Sequence, residues 1–169
     1  MRELQKGLDI SISGPQREEA LDRFHGQLET WQLAMPAVEP LVLDFGLEEF
    51  YKTGLIECWI ANEPQAGYCG KYLFLSDGQT CPSHRHREKK ETFCIVKGTV
   101  RMTCGDQTEA MGPGSVLNVE PGVFHRFTGK GPALVLEISQ PCFIDDNYFE
   151  NPEIPIGGNY RCDAPDPRP

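Results

Sequence analysis

The chain has 169 residues and a formal net charge of −9, from 16 Lys plus Arg against 25 Asp plus Glu. Phosphate backbones and anionic lipid surfaces are held by basic faces, so this balance argues against a nucleic-acid or membrane partner. With 39% hydrophobic and 24% charged residues, the sequence has the make-up of one globular domain that can bury a core without covalent staples.

The start, MRELQKGLDISIS, lacks an apolar segment followed by a small-residue cleavage site, so no secretory leader is expected. No run is apolar and long enough to span a bilayer. A cytoplasmic location is the expectation, and the cysteines agree with it. Cys58, Cys69, Cys81, Cys94, Cys104, Cys142 and Cys162 are odd in number and form no C-x-x-C pair, so they read as free thiols, mostly small buried hydrophobes.

Along the chain, Ser13 and Pro15 mark a helix start. Ala20, Leu21, Phe24, Leu28 and Trp31 then recur at helical spacing up to Pro36. His25 falls inside that stretch with no ligand-type neighbour, so it reads as structural or exposed. From Val38 the pattern changes to short segments rich in strand formers: 41–45, 55–61, 71–76, 91–98, 99–104, 115–120 and 133–139. SDG, GD, GPG and PG turns separate them. Many short strands at this spacing predict an antiparallel sandwich or barrel. Five prolines between Asn151 and Pro169 rule out a regular helix or central strand there. The expected organisation is a helical extension over 1–37, one all-β unit over 38–150 and an arm over 151–169.

Three of the four histidines fall in two informative spacings. Gly78 is followed by His84, His86, Glu91 and Gly98; farther on come Gly114, Pro121, Gly122 and His125. Residues i and i+2 share a strand face, so His84 and His86 project together while Ser83 and Arg85 face away. A short turn through Arg87–Lys90 is expected to return the chain antiparallel and bring Glu91 in on the neighbouring strand, with Phe93 and Ile95 on its face. His125 can close the site from a third strand. Three imidazoles and a carboxylate suit Mn, Fe, Ni, Co, Cu or Zn, with room for water or substrate.

Two further groups interrupt apolar strands. Lys71 shares its face with Leu73 and Leu75, and Glu137 breaks the run ALVLEIS. A buried charge needs a partner or a substrate, so each is a lumen candidate, and the two can also pair with each other. The alternatives are an ammonium at the strand end in water and a carboxylate on the solvated face. Lys89 lies in the charge run Arg87–Lys90, and such runs are usually solvated.

The residues Gly78, His84, His86, Glu91 and Gly98, with Gly114, Pro121, Gly122 and His125, resemble the two motifs of the cupin superfamily. Glu120 stands where the second motif commonly has proline. The segments DFGLEEFYKTGL (44–55), YCGKYL (68–73) and GQTCPSHRHREKKETF (78–93) are similar to the D-lyxose isomerase family of cupins, as are EIS (137–139), DDNYF (145–149) and NPEI (151–154). The likeness runs over about residues 42 to 154, the span of one domain. Only four residues separate His86 from Glu91, where isomerases of this type often carry a longer insert.

The resemblance implies a single cupin barrel, a double-stranded β-helix or jelly roll. It also implies a metal-dependent aldose–ketose isomerase acting on D-lyxose, D-mannose or a related sugar. It implies one divalent ion, Mn²⁺ in the first place with Zn, Fe, Co or Ni as substitutes, held by His84, His86, Glu91 and His125. Lys89 then takes the place of the family's Lys-x-Glu lysine, donating to a substrate oxygen. Lys71 and Glu137 face the lumen, Glu137 as the base. Asp145, Asp146 and Tyr148 are substrate-binding candidates, with turn capping the simpler role for the aspartates. Phe93, Phe127 and Tyr148 can wall a sugar's carbon face, although core packing suits the two phenylalanines better. A homodimer is a further implication. Two other functions share the motifs: an accessory sugar-binding cupin like those joined to sialic acid synthases, and an Fe-dependent dioxygenase.

Overall fold

The computed structural model describes residues 2–158. Two helices come first, α1 (Arg2–Asp9) and α2 (Pro15–Trp31). Eleven strands follow: β1 (Leu41–Leu43), β2 (Leu55–Glu63), β3 (Tyr68–Leu75), β4 (Thr80–Arg85), β5 (Glu91–Lys97), β6 (Val100–Cys104), β7 (Gln107–Met111), β8 (Val116–Val119), β9 (His125–Gly129), β10 (Ala133–Ser139) and β11 (Tyr148–Phe149). A 3-10 turn, Ile144–Asp146, precedes the last strand.

The strands form two sheets, β1-β2-β3-β10-β5-β8 and β11-β4-β9-β6-β7, in which every strand pair is antiparallel. Their inner faces meet around Leu73, Leu75, Phe93, Ile95, Met102 and Phe127, all nearly excluded from solvent. The period of two that marks a half-buried strand is plain in β5, where Glu91, Phe93 and Ile95 point inward.

Helix α2 begins with Pro15 at its first turn, as expected, but Gly14 occupies the cap position and no side chain caps the helix, so Ser13 has no such role. The buried residues Ala20, Phe24 and Leu28 lay the helix on the outer face of the larger sheet, against Val42, Ile56, Phe74 and Leu134. His25 is exposed. The sequence pattern did not predict α1. Its two leucines, Leu4 and Leu8, and the following Ile10 pack on the main core. Of the C-terminal arm, residues 151–158 are described and Ile154 is buried in the core; residues 159–169, with Cys162, lie outside the described part.

One expectation is corrected. Strands β4 and β5 do not form a hairpin. They lie in different sheets, β4 between β11 and β9, β5 between β10 and β8. The amides of Arg87, Glu88 and Lys89 bond to the Asp146 carboxylate instead of a hairpin partner, so the four-residue link carries the chain from one sheet to the other. Glycine is required at the far end of this motif: Gly98 has φ 71°, and a Cβ there would strike the carbonyl of Pro132. No helix among the described residues is long and apolar enough to cross a membrane. Six described cysteines are free, four of them buried.

Candidate metal centre

Strands β4 and β9 pair so that His84 lies opposite His125. His86 follows at the end of β4. The three ring atoms that could bind a metal lie within 4.8 Å of one another, and all three residues are buried. Each ring is oriented from behind by the backbone: His84 Nδ1 to Pro82 O at 2.9 Å, His86 Nδ1 to Asp146 O at 2.9 Å and His125 Nδ1 to Val123 O at 3.1 Å. A carbonyl oxygen only accepts, so each Nδ1 carries a proton, and in the neutral ring Nε2 is left with the lone pair.

Glu91 enters from the opposite sheet. Its Oε1 lies 3.2 Å from His86 Nε2 and its Oε2 3.0 Å from His125 Nε2. These are approaches of lone pair to lone pair. His86 Nε2, His125 Nε2 and Glu91 Oε2 are buried atoms without a hydrogen-bond partner. Burial, with His125 and His86 nearby, pushes the pKa of His84 well down; burial and Lys89 lower that of His86. Burial works against the Glu91 carboxylate, but the Lys89 ammonium holds its pKa well below the usual range. Three imidazoles and an ionised carboxylate converging on one point fit a divalent cation. His84 and Glu91 also line a small hollow, which leaves the centre an open side.

Behind Glu91 runs a chain of buried charges. Lys89 Nζ lies 2.7 Å from Glu91 Oε1 and 3.1 Å from Glu137 Oε1. Lys71 Nζ lies 3.7 Å from Glu137 Oε2 and 3.5 Å from Glu57 Oε2. Glu57 Oε2 also accepts from Trp59 Nε1 at 2.6 Å, and Ser139 Oγ donates to Glu137 Oε1 at 2.8 Å. Lys71 and Glu137 are cross-strand neighbours on β3 and β10. Burial opposes the Lys89 ammonium, but Glu137 and Glu91 overcome it and hold its pKa above the ordinary lysine value. Burial likewise opposes Lys71, outweighed by Cys142, Glu137 and Glu57. Burial raises the Cys142 thiol, which stays neutral, so the carboxylates are the effective partners. For Glu137, burial is outweighed by Lys71 and Lys89, and its pKa is lowered. Three carboxylates thus face two ammonium groups, and one uncompensated negative charge remains.

The structure brings His84, His86 and His125 together beside Glu91, and His84, Glu91, Lys89, Glu137 and Lys71 line one hollow. Lys89 does not follow the solvated run around it; its side chain is 4% exposed. The other three candidates lie elsewhere. The Asp145 side chain is 73% exposed and bonds Lys6. Asp146 is buried, and its carboxylate is taken up by the 87–89 amides. Tyr148 is buried under the Arg87 guanidinium, 4.4 Å from its ring centre. Phe93 and Phe127 line the cavity and pack on each other at 5.6 Å. Sequence reasoning missed Glu57, Trp59 and Phe149. Glu57 carried a usable signal: it interrupts the inward, apolar face of LIECWIA as Glu137 does in ALVLEIS.

The cupin domain family model matches residues 72–139. A D-lyxose/D-mannose isomerase of Thermosediminibacter oceani is 32% identical over 141 residues, 67% of this chain and 77% of that protein. A D-lyxose ketol-isomerase of a Thermofilum species is 29% identical over 142 residues, with the same shares. The crystal structure of Cellulomonas parahominis L-ribose isomerase superposes with a TM-score of 0.66 at 14% identity, covering 83% of this chain and 93% of that one; this likeness concerns the fold. Two antiparallel sheets closed around a three-histidine pole define a cupin. Within the cupins, the chain belongs to the D-lyxose ketol-isomerase family.

Proposed function

We propose that this protein is a metal-dependent aldose–ketose isomerase acting on free D-lyxose, D-mannose or a related sugar. The observation that carries the reading is the unbroken line of buried ionised groups from the histidine pole to Glu137 and Lys71, lining one hollow beside Glu91. A cupin used only for binding has no need to bury two lysines against three carboxylates, since buried ion pairs contribute little to stability on balance. The relatives named D-lyxose isomerase support the same reaction class.

In this reading His84, His86, Glu91 and His125 would hold one divalent ion, Mn²⁺ in the first place, whose chemistry when bound would be to polarise the sugar carbonyl and so acidify the adjacent C–H. Glu137 is the base that takes the proton from one carbon and returns it to its neighbour. It is ionised, buried and fixed by Ser139 and Lys89, so it needs no reorganisation before acting. Lys89 donates to the oxygen on which negative charge builds. Lys71 keeps Glu137 ionised and aimed. Phe93 and Phe127 form the apolar wall. Asp145, Asp146 and Tyr148 act on the loop and its neighbours, by ordering the segment over the barrel mouth, rather than through sugar contacts.

Elemental analysis of the purified protein, followed by assay of the metal-restored enzyme against a panel of aldoses and ketoses, tests the proposal. Interconversion of at least one pair is expected. Saturable binding with no turnover of any sugar would replace it with the accessory, sugar-holding alternative.

A further inference from the structure

The cavity at the metal pole has a neighbour with which it shares part of its lining. A second hollow lies beside it, and Phe45, Glu57, Lys71, Asn147 and Phe149 line both. The first reaches His84, Glu91 and Lys89, whereas the second is walled by Trp59, Ile10 and Ile156. Glu57 therefore stands at the junction.

Its carboxylate is half engaged. Oε2 receives Trp59 Nε1 and the Lys71 ammonium, while Oε1 has no hydrogen-bond donor among the described residues. Lys71 also lies 4.8 Å from the centre of the Trp59 ring, so the three side chains fix one another. One anchored and one open carboxylate oxygen beside an indole make an arrangement suited to polyols. The carboxylate accepts hydroxyl hydrogens, and the aromatic surface covers C–H groups. An open-chain sugar has its reacting carbons at one end and a hydroxylated tail at the other.

We infer that the second hollow receives the hydroxylated tail of the ligand, with Glu57 accepting its hydroxyl hydrogens and Trp59 forming the apolar side. The inference rests on the isomerase reading for which end of the sugar faces the metal pole. That a neutral polyol is held there does not require turnover.

The test uses metal-loaded protein carrying Trp31→Phe, so that Trp59 is the fluorescent reporter, and alditols of four, five and six carbons (erythritol, arabinitol, mannitol). These cannot react, because they lack a carbonyl. The dissociation constant is expected to fall about tenfold from erythritol to mannitol, the worth of about one net hydrogen bond. Glu57→Gln removes the gain for mannitol and leaves erythritol within about twofold, less than half of one net hydrogen bond. Ile156→Phe fills the second hollow without touching the carboxylate or adding a second indole and should have the same pattern; it carries the test if Glu57→Gln does not fold. Equal affinity for all three alditols, or equal weakening of all three by Glu57→Gln, overturns the inference. Graded alditol binding without turnover of any sugar leaves it standing and removes the isomerase reading; turnover with ungraded binding does the reverse.

Discussion

Asp146 holds His86 and the loop after it from one position. Its carbonyl accepts the His86 Nδ1–H at 2.9 Å, and its carboxylate takes the amides of Arg87, Glu88 and Lys89. Asp146→Ala leaves those amides without their acceptor. The expected cost is about 2 kcal/mol, seen as a melting temperature lower by roughly 5 °C. The backbone carbonyl behind His86 remains but is no longer tied to the 87–89 amides, so the imidazole is held less firmly and divalent-ion affinity should also fall several-fold by titration calorimetry. An unchanged ion affinity would show that the loop holds its place without Asp146.

Glu137→Gln should lower turnover by about 10²–10⁴-fold, the usual worth of a positioned base. Ion content, measured alongside by elemental analysis, is expected to stay at the wild-type level. Loss of the ion together with activity would place Glu137 in metal retention instead.

Acid stability gives an independent reading of the same group. The folded Glu137 carboxyl has a pKa below its ordinary 4.5, so below that pH the unfolded chain binds more protons than the folded one. The stabilisation is therefore complete above pH 4.5 and lost as the pH falls through the folded value. Urea midpoints recorded from pH 6 to pH 3 should fall less steeply for Glu137→Gln than for wild type. Parallel curves would count against a lowered pKa.

Lys89→Met strips Glu91 and Glu137 of their shared ammonium. Removing one member of a buried ion pair typically costs about 3–5 kcal/mol, measurable by urea unfolding without added metal. The exposed neighbour Lys90, paired with Glu120 at the surface, is the control, and Lys90→Met should change stability by less than about 1 kcal/mol. A saturating divalent ion should restore part of the Lys89→Met loss by supplying positive charge beside Glu91. Equal effects of the two substitutions would mean that Lys89 is solvated.

Gly98→Ala tests the motif glycine. At φ 71° an alanine is strained, and its Cβ meets the Pro132 carbonyl. Destabilisation above about 1 kcal/mol is expected by thermal unfolding. A neutral result would require the 97–99 turn to relax without loss.

The meeting of His84, His86 and Glu91 was legible because their spacing is local: period two sets His84 and His86 on one face, and Glu91 opens the next strand, whereas His125 comes from a distant strand and was legible only through its Pro-Gly turn motif. The inward direction of Lys71 and Glu137 was legible for the same reason, since polar groups on apolar strand faces stand out. Lys89 was ambiguous because its inward turn depends on Asp146, 57 residues away. The passage of the 87–90 link between sheets was misread, because pairing partners are fixed by long-range register and not by the link. Helix α1 was illegible because it presents only two leucines and places Gly7 against Leu41. Glu57 was overlooked although its signal equals that of Glu137.

The histidines sit on one layer and Glu91 on the other. The gap across which the donors converge is thus the thickness of the hydrophobic filling, set by side chains such as Phe93 and Phe127. Ionic radius and aromatic packing become one variable: trimming either ring should alter which cation the protein prefers, although neither ring can coordinate anything.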